Sequence, residues 1–552
     1  MPNNFRHPQH NTTNPFGASA SLPLTILLGV VALLSACAAP SSERAKATVR
    51  FDLAADPRNL NPLFSNPDAA SVEQQIARLA FEPFVDFDGR GRVRPELLQE
   101  IPTVANGGLS KDGRTIRYRL RGGVVWSDGR PVTAADVLFT LHAILDPHNP
   151  VRSHEGYELI DRAYALDSRT VLFHLRRAWA PAATTYFSYG FSPQFVLPAH
   201  VLAAQTRLDR AAFNAVPSVG DGPFRFLSWK RGEGLRYVAN SRYWRGRPSV
   251  EGLAIRTIPD PSTNLLLLQS GELDWNLIAP AQLAVVRGNP NLAFVTVPTA
   301  VVAGLAFNTS HPPLDDVRVR RALATSIDRN AISRKVTLGL YPVTDMIQPR
   351  FSWAFDPSVR EPQYDPTGAD RLFEAAGWLR GSDGMLRRGG ALLHLTYVQF
   401  PETATGVRVA AAVQAALRQR GVDVEIKAVS NAQLFLPRTG VLASGTFDLA
   451  YVPWTMGADP DDSSVLGCGG ASNYMRWCDT RVERLERAAL NTIDTALRKR
   501  FYAQIGRLVA SEVPILYLFN ANYVYAYRKR LSGFAPNAFL PTWNAYQWKL
   551  AK

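Results

Sequence analysis

An apolar run from Leu22 to Leu34 ends at once in the small residues Ser35 and Ala36, followed by Cys37. A membrane-spanning helix needs roughly 20 apolar residues. The run is shorter, so it reads as the core of a secretory signal that is removed from the mature chain. This constrains everything downstream. The remaining body must fold outside the cytoplasm, where disulfides persist, and no later stretch is long and apolar enough to cross a membrane. Taking residues 1–36 from a chain of 552 leaves far more than one ordinary hydrophobic core encloses, so two or three lobes are expected.

The net charge of +14 comes mainly from scattered arginines. There is no Lys/Arg block, RNA-recognition signature, zinc finger or basic heptad helix, so nucleic acid is not an expected partner. Anionic lipid headgroups beside the body, or selection of acidic ligands, account for the charge equally well. The nine histidines stand singly. No H-E-x-x-H pair, G-x-S-x-G elbow, S-x-x-K or phosphate-cradling glycine loop is present. No catalytic residue, metal site or cofactor is therefore expected. His174 and His394 sit inside strand patterns and read as structural. Asp461 and Asp462, beside Gly and Pro residues, read as acids of a solvated turn.

Periodicity shows two styles of chain. Thr48 to Leu53 reads as a strand and Ser71 to Phe81 as a helix. Thr115 to Leu120 sets Ile116, Tyr118 and Leu120 against Arg117 and Arg119, a half-buried strand. Thr133 and Asp136 are spaced as a capping box opening a helix over Ala134 to Leu145, and Arg169 to Leu175 is another strand. From Gly220 to Asp274 short strands are broken by Gly and Pro, and a helix over Leu265 to Gln269 is closed by Gly271. Beyond Pro298 strand and helix alternate. Asp315 and Asp316 precede a helix with Val319, Leu323 and Ile327 on its apolar face. Leu392 to Val398 is strand-like, Val409, Val413 and Leu417 line a helix stopping at Gly421, and Val422, Val424 and Ile426 alternate as the next strand. That β-α-β order predicts an α/β lobe with a mostly open sheet. Two helices, Arg481 to Leu490 and Ala496 to Ala510, lead into the apolar strand Ile515 to Phe519.

Leu34-Ser35-Ala36-Cys37 resembles the lipobox of bacterial lipoproteins. The resemblance implies cleavage before Cys37, a diacylglyceryl thioether on its sulfur and an acylated amino terminus. Two or three acyl chains, at roughly 0.8 kcal/mol per buried methylene, anchor stably. The protein is then exported and either lipid-anchored to the outer face of the cytoplasmic membrane or held in the periplasm. With Cys37 lipidated, Cys468 and Cys478 remain, ten apart in a Gly/Ser/Asn loop. They are expected to close a disulfide, because a metal site needs more ligands and no histidine is near.

A longer series of landmarks points to a family. Leu79-Ala80-Phe81-Glu82-Pro83-Phe84, Lys111-Asp112-Gly113-Arg114-Thr115, Leu120-Arg121-Gly122-Gly123-Val124 and the run from Trp126 to Val137 come first. Gly220-Asp221-Gly222-Pro223-Phe224, Tyr243-Trp244 with Gly246, and Gly271-Glu272-Leu273-Asp274 follow. Phe307-Asn308-Thr309, Arg318 to Arg329, and Tyr364-Asp365-Pro366 ahead of Ala375-Ala376-Gly377-Trp378 complete the order. In this order they resemble the solute-binding proteins of peptide, dipeptide and nickel ABC transporters. The loop between Cys468 and Cys478 is similar to the cysteine loop of the dipeptide-binding branch.

The resemblance implies an α/β fold of the three-lobed periplasmic binding protein type, two large lobes joined by a hinge plus an inserted smaller lobe. Residues 1–36 are then the signal and 37–45 a linker. Residues 46–84, 212–300 and 515–552 form a discontinuous first lobe, 85–211 the inserted lobe, and 301–514 the second large lobe. Hinge closure captures a small peptide or other organic solute for ABC permease and ATPase subunits; a monomer and no catalysis are expected. Alternatives are the same fold around an oligosaccharide, opine or metal chelate, or a surface-anchored hydrolase or sensory partner. Phe447 to Trp454 is similar to the cleft-lining strand, which makes Trp454 and Tyr451 cleft aromatics and Asp459 the nearest partner for a ligand ammonium. Asn308 is a further ligand-binding candidate, and Arg408 the nearest replacement for the arginine expected after Val398. In the family's peptide binders the amine-holding aspartate precedes a second acid-Pro pair. Here Asp459-Pro460 matches that second pair, and Met456 or Gly457 stands at the anchor position.

Overall fold

The structure, a computed structural model, describes residues 47–64, 72–151, 154–188, 195–436 and 438–551. The signal, Cys37 and the linker to residue 45 lie outside the described residues. Two long antiparallel strands organise the rest, Leu292–Phe307 and Ile515–Arg528. Both are rich in β-branched and aromatic residues, which suit a buried pleated surface. They belong to a six-stranded sheet. Trp275–Ile278 flanks one side, and Leu449–Thr455, His394–Gln399 and Asp423–Ala428 flank the other.

The register between the two long strands slips between Pro298 and Val302. Proline has no amide hydrogen to give to a ladder, and side chains take over. Asn520 Nδ2 donates to the carbonyls of Thr299 at 2.9 Å and Val301 at 2.8 Å. Thr299 Oγ1 donates to the Ala521 carbonyl at 2.8 Å. The hydrophobic interior divides at this same slip. Val297 and Tyr525 pack with one core, whereas Val302 and Phe519 pack with another. Among the described residues, the two strands and their side-chain bridges carry the sheet from one core to the next.

The first core lies under a four-stranded sheet ordered Thr48–Leu53, Gly252–Thr257, Gly234–Ala239 and Phe224–Lys230. It is shared with a three-stranded sheet of Thr115–Arg119, Thr170–Leu175 and Ile160–Asp167. Phe51 stacks on Trp275 with centroids 4.5 Å apart, and Trp548 meets both edge-on. The expected capping box forms, with the Thr133 amide donating to Asp136 Oδ2 at 2.8 Å, and opens helix Ala134–Leu145. The helix expected from Leu265 begins earlier, at Pro261, because the Asp260 carboxylate caps it by accepting from the Thr263 amide.

Many of the sequence landmarks converge on a buried ionic node in this core. Arg78, fully buried, donates from Nε to Asp86 at 2.9 Å and from Nη1 to Glu82 at 3.0 Å. Glu82 also accepts from the Tyr243 hydroxyl at 2.7 Å, and its amide donates to Asp221. Glu96 is paired by Arg94 and Arg245, and Arg245 lies 4.2 Å over the Trp244 ring. Gly222 is there for clearance: its amide donates to the Ala80 carbonyl, and a Cβ would stand 2.5 Å from that carbonyl carbon.

The second core has the expected β-α-β order. Strands His394–Gln399 and Asp423–Ala428 pair in parallel across helix Ala404–Gln419, whose inner face is Val409, Val413 and Leu417. Ile327 is buried but follows helix Val317–Thr325 in a turn instead of extending it. Cys468 and Cys478 are joined as a disulfide. Two sequence expectations are corrected here. The closing strand runs on to Arg528, past Phe519. Asp462 is 2% exposed and is no acid of a solvated turn.

Candidate functional site

In an open α/β sheet, ligands bind beyond the carboxyl ends of parallel strands. Here those ends are Gln399-Phe400, Ala428-Val429 and Thr455-Met456. Register pairs Thr455 with Val301, so this edge opens beside the slip in the crossing strands. Capped helix starts adjoin it. Thr403 caps Ala404–Gln419 by accepting from the Gly406 amide, and Ser430 caps the short helix Asn431–Leu434.

A row of aromatic rings runs along this edge. Tyr451 meets Phe400 at 6.2 Å between centroids, Phe400 meets Phe435 at 5.9 Å, and Phe435 meets Tyr474 at 6.2 Å. Burial, then the nearby hydroxyls of Tyr341 and Tyr523, push the Tyr451 phenol up, so it stays a neutral donor. Gln399, 4% exposed, has an amide oxygen with no hydrogen-bond partner among the described residues. Sequence reading missed Phe400, Phe435, Tyr474 and Gln399. Nothing in the local pattern marks Phe435, which follows a four-residue helix.

The other sequence candidates are dispersed. Along Leu449–Thr455 side chains alternate faces, so Trp454 lies on the face opposite Tyr451. Its ring covers Gly304, where a Cβ would approach Cζ3 to 3.3 Å, and its indole donates to the Ser472 carbonyl. Arg408 is exposed on the helix that starts at this edge. Asn308 is fully buried at the far end of its strand. Its amide donates to the carbonyls of Gly445 and Phe447, and its oxygen accepts from Ser310. Phe307 pairs with Leu449 and Val301 with Thr455, which puts Asn308 about 20 Å from the site edge at roughly 3.3 Å per residue.

Asp459 is spoken for within the fold. Its two oxygens accept from Arg498 Nη1 and Nη2 at 2.8 and 2.5 Å, a bidentate pair, and Arg498 also reaches the Tyr502 hydroxyl. The guanidinium lies 5.2 Å from the Trp353 ring centre. A ligand ammonium would have to displace this fork, the strongest ordinary pairing a carboxylate makes.

Just beyond it lies a carboxyl pair, Asp462 and Glu486, each 2% exposed. Gln348 donates to Asp462 at 3.0 Å. Burial, followed by Asp462, Asp461 and Glu483, raises Glu486 well above the usual carboxylate range, while burial holds Asp462 at about 6. Glu361, buried against Arg329, is pushed by burial to about 8. Groups raised on folding contribute stability that is complete below their unfolded values near 4 to 4.5 and is lost as pH rises through the folded ones. Unfolding temperature is therefore expected to fall by several degrees between pH 6 and pH 8.5, and Glu486→Gln to flatten that slope. A wild-type melting temperature that holds steady or climbs over this range would refute the pairing.

The comparisons agree with this fold. The family model for bacterial extracellular solute-binding proteins, family 5 Middle, matches residues 93–475. The oligopeptide-binding protein AppA of Bacillus subtilis is 24% identical over 97% of this chain and 99% of its own length. The peptide transport periplasmic protein SapA of Salmonella typhimurium is 27% identical, over 86% of this chain and 88% of its own. In fold, the chain is similar to the crystal structure of NikZ from Campylobacter jejuni in complex with Ni(L-His), with a TM-score of 0.77 and 24% identity over 91% of this chain and 99% of that one. A family model spanning most of the chain and a shared three-lobed α/β fold lead to one conclusion: the protein belongs to the family 5 bacterial extracellular solute-binding proteins.

Proposed function

We propose that the chain is the extracytoplasmic solute-binding subunit of an ABC importer, capturing peptides by hinge closure and releasing them chemically unchanged. The observation that carries this reading is the coincidence at residues 298–302. The sheet register slips, the core divides, and the aromatic edge opens at one place. Closure about such a point encloses a ligand between the two cores. Relatives whose names specify oligopeptides and peptides support the ligand class. Rings at the edge offer broad apolar contact to varied side chains, and Gln399 offers an amide for the shared backbone. Tyr451 and Arg408 are the sequence candidates assigned to contact. Asp459 and Asn308 are assigned to the fold, and Trp454 to holding the cystine loop. Cys37 carries the lipid tether, and the body acts as a monomer beside permease and ATPase subunits.

Mass spectrometry of small molecules retained through mild purification tests the ligand class, and peptides are the expected yield. Recovery of sugars or metal chelates alone would sink it. Phe400→Ala combined with Phe435→Ala is expected to weaken the recovered ligand's binding at least tenfold, since buried aromatic anchors commonly contribute above 1 kcal/mol each. Calorimetry with unchanged affinity in this variant would place the ligand elsewhere.

A further inference from the structure

The four-stranded sheet of the first core has one face turned to the interior and one turned out. Val49, Phe51 and Leu53 alternate inward on the edge strand, as do Leu253 and Ile255, and Leu235 and Tyr237. The outward positions read differently. Arg50, Arg256, Arg236, Arg225 and Lys230 occupy them, around small residues Ala254, Gly234 and Ser228. Asp52 is the lone acid among these outward strand positions, and Asn264 already donates to it. Arg225 and Arg236 are exposed and have no acidic partner among the described residues. Arg50, Arg256 and Lys230 share Asp274, Glu272 and Glu233 at the margins. Above the small residues lies a groove of about 860 Å³, bordered by the cations Arg50, Lys230, Arg236 and Arg256 and by Leu227, with Glu233 and Glu272 also on its rim. Leu227 stands at a register shift in the outer strand, 57% exposed.

We infer that this cationic sheet face is a docking surface for an anionic lipid bilayer. The inference rests on the extracytoplasmic, tethered reading above and adds the surface that meets the membrane. The cations spread across four strands about 4.8 Å apart, roughly 14 Å from edge to edge, wider than one phosphate and suited to several headgroups at once. The floor is built of the small residues Ser228, Gly234 and Ala254 on three strands, so the cations are spread over the face and not gathered around one anion. Leu227 projects from the rim as an apolar group that enters between headgroups. The edge strand begins at Thr48, eleven residues after Cys37. At 3.3–3.6 Å per residue that segment spans at most about 40 Å, so a tether at Cys37 keeps the face within reach of the bilayer at high effective concentration.

The test uses the chain with Cys37→Ser, which cannot be acylated there, and measures partitioning onto vesicles. Binding to vesicles containing phosphatidylglycerol, little to phosphatidylcholine alone, and a steep loss with salt are expected. Each basic residue near an anionic surface is worth about fivefold, so Arg225→Gln, Lys230→Gln and Arg236→Gln together lower partitioning about a hundredfold. The control Arg371→Gln, Arg418→Gln and Arg484→Gln removes the same charge from the other half of the chain and leaves partitioning within threefold. Equal losses in both triples, equal binding to both vesicle types or a flat salt response overturns the inference. So does complete displacement by millimolar inorganic phosphate at matched ionic strength, which marks a small-anion site. Peptide retention by the first triple is measured alongside and stays unchanged; its loss would implicate the solute-binding reading and not the surface.

Discussion

Arg78→Leu is expected to lower unfolding free energy by about 3–5 kcal/mol, the usual cost of removing one partner from a buried charge network. Leucine keeps much of the apolar volume, so the loss isolates the charge. Glu82, Asp86, Glu96 and Asp221 would remain in one desolvated node, with Arg94 and Arg245 as the nearby cations, both on Glu96. Burial, with Glu82 next, already raises Glu96 to about 7. The variant's folded state therefore binds more protons than its unfolded state, and its stability should recover as pH falls from 8 toward 5. Denaturant unfolding at both pH values reads the effect. A loss below 1 kcal/mol at pH 8, or a deficit that widens on acidification, would show that the node does not depend on this guanidinium.

Asp459→Asn should cost a comparable 3–5 kcal/mol, because it strands Arg498 inside the second core. Ligand affinity, measured where the variant is folded, should stay within about threefold of the parent. The two readings of this aspartate predict opposite patterns. An acid serving a ligand ammonium would leave stability nearly intact and weaken binding by 2 kcal/mol or more, as loss of a charge-assisted hydrogen bond does. Thermal unfolding and calorimetry on one variant separate them.

These variants also mark where residue order was readable. The β-α-β half was legible because period 3.6 and period 2 alternate cleanly there. Val409, Val413 and Leu417 face inward on Ala404–Gln419, and Val424 is buried on the strand that follows it. The cystine was legible from compartment and spacing. The strand Leu292–Phe307 was not, since its inner half is buried on both faces and shows no alternation. Asp462 misled for a related reason. Gly, Pro and Asp together describe a turn, and only packing of helix Thr480–Asn491, which carries Glu486, closes that turn off from water.

Local patterns settled what is local: helix faces, caps and the cysteine pair, each decided within one or two turns of chain. The landmark motifs were equally visible, but their meaning was not. Glu82, Asp221 and Tyr243 are far apart in sequence and touch in the fold, where they hold a core together. The same holds for Asp459, which chain position offered to a ligand and a helix nearly forty residues on claimed with Arg498. Charge pairing depends on distance in space and on the exclusion of water, and neither is set until the lobes have packed.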